Sequence, residues 1–319
     1  MRYLNFLFAF LLISCASQPE TPTQTNPISY QVSEENVSKT LSYLASDELE
    51  GRDSGSKGIE KASIYLENIL KENGIKPYFK SYRDTLTNYE KTSYNVVGYI
   101  EGTDSKLKNE FVIIGAHYDH IGKIAAVNGD DIGNGANDNA TGTTAVTEVA
   151  KYFAKYKNNK RSVLFVFFSA EEKGLLGSKH LAIKLKEQKM DLYFMFNFEM
   201  IGVPMKDKGM DFYLTGFGRS NMATKMNEYA KEKLVGYLPI ETKYMLFRAS
   251  DNYPFFTEFE VPAQTVSTFD FENFQFYHQP DDEFEMMDTK HITNVISKTI
   301  PVLEQMINAP KKEIKLNEK

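Results

Sequence analysis

The chain has 319 residues, 42% hydrophobic and 25% charged, ordinary proportions for a globular protein able to bury a substantial core. A formal net charge of −6 argues against a nucleic-acid partner, whose phosphates need a basic excess. Cys15 is the only cysteine, which excludes an intrachain disulfide and a thiolate zinc finger, and no internal repeat is visible.

The first segment reads as targeting. Arg2 precedes an apolar run, Tyr3 to Ile13, too short to span a bilayer as a permanent helix. Leu12-Ile13-Ser14-Cys15 resembles a bacterial lipoprotein box, in which the cysteine is lipidated and becomes the mature N-terminus. A plain secretory signal cleaved near Ala16 is the alternative. Residues 1–14 are thus expected to be a lipoprotein signal peptide and residues 15–30, rich in Pro, Thr, Gln and Asn, a flexible tether. This predicts a lipid-anchored protein of the cell envelope, periplasm-facing or on the outer membrane.

Residues 31–310 read as one α/β domain. Val37, Leu41 and Leu44 mark a helix, and the charged loop over 47–57 is most simply solvated surface. Ile59, Ala62, Leu66, Ile69 and Leu70 share a second helical face, with Gly74 placed to end it. Asn95 to Ile100 is a strand. A second strand, Phe111 to Ile114, breaks at Gly115 and delivers His117 and Asp119, whose i, i+2 spacing lets both face one cleft. A Gly- and Asn-rich loop follows and ends in Asp138 and Asn139 before a helix marked by Ala145, Val146, Val149, Ala150 and Phe153.

SVLFVFF, from Ser162 to Phe168, is the strongest strand and is apolar on both faces, as an interior strand would be. It runs into Glu171 and Glu172, and the strand from Phe194 to Phe198 ends at Glu199. Apolar strands that repeatedly terminate in acids or a histidine point to a site, because open α/β sheets carry their sites at strand carboxyl ends. A histidine with several carboxylates is metal-binding chemistry. Each element also has an ordinary explanation: His117 as a satisfied core residue, Asp138 or Asn139 as a helix cap, the glutamate pair as acids in a helix's first turn. The last third supplies His278 within Tyr277-His278-Gln279-Pro280-Asp281-Asp282, then a closing helix and a charged tail over 311–319 expected to be free. His120 and His180 have ordinary surface or loop explanations, and His291 reads as a helix-start residue.

Together the segments LASDELEGRDSGSKG, YNVVGYIEG, GAHYDHIG, GANDNATG, FFSAEEKGLLGS, NFEM, SDNYPF and YHQPDD resemble the M28 family of co-catalytic zinc metallopeptidases over about Leu41 to Ile307. The resemblance implies a single-domain, three-layer α/β/α fold with a mixed, mostly parallel central sheet. It implies that His117, Asp138 and Glu199 hold one Zn2+ and Asp138, Glu172 and His278 a second, with cobalt or manganese possible. Asp138 would bridge the ions, with a cis peptide before Asn139. Glu171 would be the general base, Asp119 the acid orienting His117, and Tyr277 a phenol polarising the substrate carbonyl. The implied reaction is removal of N-terminal residues from peptides with a free N-terminus by a metal-activated water. Two departures stand out. Glu199 replaces a more usual aspartate, and Asn252 replaces a usual histidine, which would alter substrate preference. A glutaminyl-peptide cyclase on the same fold and a non-catalytic binding lipoprotein are the alternatives. The aromatics Phe217, Tyr244, Phe247, Phe271, Phe274 and Phe276 are candidates either for a specificity wall or for core.

Overall fold

Period-two alternation along the central strands builds the architecture. Strands β1 (Lys76–Pro77), β2 (Arg83–Thr85), β3 (Tyr94–Ile100) and β4 (Glu110–His117) are followed by a hairpin, β5 (Gly122–Val127) and β6 (Asp130–Gly133). Then come β7 (Ser162–Phe168), β8 (Asp191–Phe198), β9 (Phe212–Leu214), β10 (Val235–Gly236) and β11 (Ala263–Ser267). The computed structural model describes Met1 and residues 32–318; the signal segment, Cys15 and the tether lie outside the described residues. Apart from the hairpin, the strands form one sheet in the order β1-β3-β7-β4-β8-β11-β9-β10, with β2 beside β3. Its centre, β7-β4-β8-β11, is parallel, and antiparallel pairs flank it at β3–β7 and β9–β11.

Residues of opposite parity feed two cores. Val112, Ile114, Phe165, Phe167, Phe196 and Phe198 pack with helices α1 (Glu34–Leu44), α2 (Lys57–Glu72), α3 (Thr141–Tyr156) and, after α4–α7, α8 (Thr289–Asn308). Ile113, Leu164, Val166, Phe168 and Met195 pack on the other face with Leu181, Ala182 and Leu185 of α4 (Leu176–Glu187). Helix α5 (Met222–Ala230) lies on the first face, α6 (Pro239–Lys243) follows β10, and α7 (Asn252–Phe259) sends Phe255 into the second core. The three-layer α/β/α fold matches the expectation from sequence. Strands buried on both faces need the continuous apolar runs seen here.

Some local readings change. Strand β4 does not break at Gly115 but runs through it to His117. The glycine is required by packing, because a Cβ there would meet the Phe168 ring at 2.5 Å. The tail is not free. Glu313 and Ile314 donate their backbone N–H groups to the Tyr193 hydroxyl (2.7 and 2.9 Å). Asn221 bonds the backbone of Glu313 and Lys315, and Leu316 bridges Ser220. Charged residues hid one buried side chain, Ile314, which is 2% exposed. Ile314→Ala is therefore expected to cost about 2–5 kcal/mol, the usual range for truncating a buried isoleucine. Urea unfolding checks this, and a change within ~0.5 kcal/mol, as for an exposed position, would mean the tail is not docked.

Candidate metal centre

The parallel strands deliver the expected residues to one end of the sheet. His117 is the last residue of β4, Glu171 and Glu172 lie in the turn after β7, and Glu199 directly follows β8. The glutamate pair is not in a helix's first turn, since α4 begins only at Leu176. Asp138 sits in a distorted turn before α3, and the Asp138–Asn139 peptide is cis, as the resemblance implies. The Asn139 side chain anchors the turn, accepting from Gly142 N at 3.0 Å and Met200 N at 3.1 Å.

Asp138 divides its carboxylate between two histidines. Its Oδ1 lies 3.3 Å from His117 Nε2 and its Oδ2 lies 3.1 Å from His278 Nε2. His278 Nε2 is also 3.3 Å from Glu172 Oε2. Ligand atoms of His117, Glu171 and Glu199 fall within 4.8 Å of one another, and so do those of His120, Asp138, Glu172 and His278. Both His117 Nε2 and His278 Nε2 are buried atoms without hydrogen-bond geometry to any neighbour. Ring nitrogens so placed among carboxylates fit divalent ions that would displace their protons, and the imidazole and carboxylate donors suit zinc.

The surroundings fix these side chains. His117 Nδ1 lies 3.2 Å from the Asp119 carbonyl oxygen, which directs Nε2 into the cluster. The Asp119 carboxylate also stands within ion-pair range of that ring, 3.8 Å from Nδ1. It further accepts from Ser54 Oγ (3.1 Å), Glu171 N (3.1 Å) and Glu172 N (3.4 Å), so it sets the turn that carries the glutamate pair. Asp282 accepts from the backbone N–H of Asn137 (2.7 Å) and Asp138 (3.1 Å). The Ser250 hydroxyl donates to Glu199 Oε2.

Arg52, 1% exposed, overturns the reading of its loop as solvated surface. Its guanidinium donates to the carbonyls of Tyr118 (2.8 Å), Asn134 (2.6 Å), Gly135 (2.9 Å) and Leu44, tying the loops on either side of the site together. Burial lowers its pKa to about 10, so it remains a cation near the acids at neutral pH. His120, expected at the surface or in a loop, is fully buried beside Glu172. Asn252 is likewise fully buried, bonding Phe247 O, Ala263 O and the Thr265 hydroxyl. It therefore has no exposed surface of its own.

A cleft over the cluster is lined by Asp138, Glu171, Glu172, Glu199, Lys179, Arg248 and Tyr277. Tyr277 stacks on the His278 ring at 3.9 Å and on Phe269 at 5.6 Å. Beside it a cavity of about 250 Å³ shares Glu199 and Tyr277 and is walled by Tyr213, Tyr244, Phe269 and Phe271. Of the candidate wall aromatics, Tyr244 and Phe271 line this cavity, Phe217 and Phe247 line a neighbouring one, and Phe274 and Phe276 belong to the core.

In the metal-free protein the protonation states follow from burial and charge. Burial pushes Glu199 up to about 8 and Glu171 well above the usual range. Burial opposes charge on His278, but the Asp138 and Glu172 carboxylates outweigh it and hold it at about 10. Burial likewise opposes charge on His117, and Glu171, Asp138 and Glu199 raise it regardless. Asp138 goes the other way: burial raises it, yet the two histidines pull it well below its usual value. Groups with raised pKa keep protons that the unfolded chain has released. Their stabilisation is complete below the unfolded value and fades as pH climbs through the folded one. For His278 that window runs from 6.5 to about 10, and for Glu199 from 4.5 to about 8. Asp138 contributes constantly above ~4. The chelator-treated protein should thus lose stability between pH 6 and pH 9, by at least the ~2–4 °C that one kcal/mol represents in a domain of about this size. Thermal melts across that range check this, and a melting temperature that holds or rises would contradict it.

Comparison with known proteins bears on the same region. The family model described as Peptidase family M28 matches residues 95–302. A probable leucine aminopeptidase 2 of Arthroderma benhamiae is 32% identical over 187 residues, covering 56% of this chain and 34% of that one. The chain spans about a third of the length of such curated relatives. Among solved structures, an aminopeptidase from Aneurinibacillus sp. strain AM-1 superposes with a TM-score of 0.66 at 18% identity, covering 92% of this chain and 96% of its own. Porphyromonas gingivalis glutaminyl cyclase does so with a TM-score of 0.66 at 15% identity, covering 86% and 98%. At these identities the structures speak for the fold alone.

Proposed function

The chain belongs to Peptidase family M28, and on that footing we propose that it is a metal-dependent aminopeptidase acting on peptides with a free N-terminus. The observation that carries this reading is the split carboxylate of Asp138, one oxygen toward His117 Nε2 and the other toward His278 Nε2. A carboxylate so divided could serve two divalent ions at once. His117, Asp138 and Glu199 would hold one Zn2+ and Asp138, Glu172 and His278 the other. When bound, such a pair acidifies a water and polarises the scissile carbonyl. The remaining work falls to the chain. Glu171, whose carboxyl is already biased toward holding a proton by burial, takes the proton of the attacking water and passes it to the departing amine nitrogen. Tyr277, at the cleft, donates its hydroxyl to the carbonyl oxygen as negative charge develops there. The aromatic-walled cavity beside Glu199 receives the first side chain of the peptide, which favours a bulky apolar residue.

Removing the two adjacent acids one at a time tests the assignment. Glu171→Ala should retain metal and fold while kcat drops by about 10²–10⁴-fold, the usual weight of general acid–base catalysis, with little change in KM. Glu172→Ala should instead loosen one ion and lower the melting temperature. Near wild-type turnover in Glu171→Ala would end its role as base. Aminoacyl chromogenic substrates and a Gln-initiated peptide, each with and without chelator, separate the peptidase from a glutaminyl cyclase and from a binding protein.

We also propose that the protein is tethered to the cell envelope through lipidated Cys15, carried by the Leu-Ile-Ser-Cys segment after the apolar run. Cys15→Ser should abolish incorporation of labelled fatty acid and leave the leader unprocessed. A wild-type chain that takes up no label and fractionates as soluble would refute the anchor.

A further inference from the structure

His120 stands at the second ligand group with no part in the reaction proposed above, and its surroundings hold it rigidly. Its backbone N–H donates to the Arg52 carbonyl oxygen at 3.3 Å. Its ring crosses that of His278 edge-on at 5.5 Å. On a third side it packs against Gly135, where φ is +57° and an added Cβ would strike the ring at 2.5 Å. The imidazole is fully buried and has no room to swing away.

The oxygens around it are divided. Glu172 Oε2 lies 3.3 Å from His278 Nε2, and Asp138 Oδ2 lies 3.1 Å from the same nitrogen. Two donors on one tetrahedral zinc, each bonded at ~2.0–2.1 Å, sit about 3.3 Å apart, so each oxygen stands at co-ligand spacing from His278 Nε2. The other oxygen of Glu172, Oε1, is 2.9 Å from His120 Nδ1 in hydrogen-bond geometry, whereas Asp138 Oδ2 is 3.8 Å from Nδ1. His120 therefore meets the oxygen that the shared position does not use. With the proton on Nδ1, the buried Nε2, which has no hydrogen-bond partner, is a bare lone pair, and no N–H is left orphaned in the interior.

We infer that His120 is a positioning residue for the second ion: its Nδ1–H donates to Glu172 Oε1 and so presents Oε2 alone to the metal. This rests on the two-ion reading above. Hydrogen-bond partners of ligating carboxylates typically contribute 10–100-fold to metal affinity. The position makes physical sense, since a carboxylate free to rotate beside Asp138 would turn between ion and solvent, while a fixed one offers a single lone pair.

Calorimetric titration of Zn2+ into the chelator-stripped full chain tests this with no reference to turnover. His120→Leu should weaken one of two ions by about 10–100-fold and leave the other unchanged. His120→Asn places an amide N–H near the position of Nδ1 and cannot replace an imidazole as ligand. It should bind both ions within about threefold of wild type. Equal losses in Asn and Leu would overturn the inference in favour of direct ligation, and full affinity in Leu would overturn it by showing no role. Should the Leu variant fail to fold, the Asn variant decides alone, with a loss of tenfold or more counting against. Wild-type binding of fewer than two ions would instead bring down the two-ion reading itself.

Discussion

Crowded negative charge is the constraint on which this structure turns. Asp119, Asp138, Glu171, Glu172 and Glu199 converge at one end of the sheet, and carboxylates so close and so buried cannot all stay ionised without compensating cations or protons. Arg52, locked under the loops by backbone carbonyls, is a cation the fold itself supplies there. His117 and His278 lie against Asp138 and share in the balance. One carboxylate thus faces both histidines, and the elements around it serve to hold it. Asp282 bonds its backbone, Asn139 anchors the turn to Met200 and Gly142, and the Thr143 hydroxyl bonds the His117 carbonyl.

Parallel topology explains why the acids converge. Strands β4, β7 and β8 run side by side in one direction, so segments far apart in sequence end at the same edge. Loops there are free of sheet hydrogen bonding and carry chemistry, while the strands, apolar on both faces, supply rigidity. The interior glycine of β4 shows how tightly the two jobs are coupled. It lets the Phe168 ring of β7 approach the strand that ends in His117.

Much of this was legible in sequence, for physical reasons that also mark where legibility stops. Continuous apolar runs identify buried parallel strands, and acids at their ends identify the site, because both patterns are local. His120 reads as an ordinary surface or loop histidine, because nothing local reveals that its imidazole is buried against Glu172. Arg52 lies in a run of charged residues that composition assigns to solvent, and only the folded loops supply the carbonyls that satisfy it. Ile314 is hidden the same way in a charged tail. Asn252 could be compared with a usual histidine, but its burial against β11 depends on how α7 packs. The resemblance pairs Asp119 with His117, and nothing local shows that its carboxylate also reaches the backbone of the glutamate turn, a partner 52 residues away.

We propose that this cluster holds a pair of divalent ions sharing Asp138. Elemental analysis of the full chain, stripped with chelator, saturated with zinc and dialysed, tests it most directly. The account predicts two zinc ions per chain, with Asp138→Ala losing both because each shares that carboxylate. A wild-type chain that retains no zinc, or only a single ion, would contradict it.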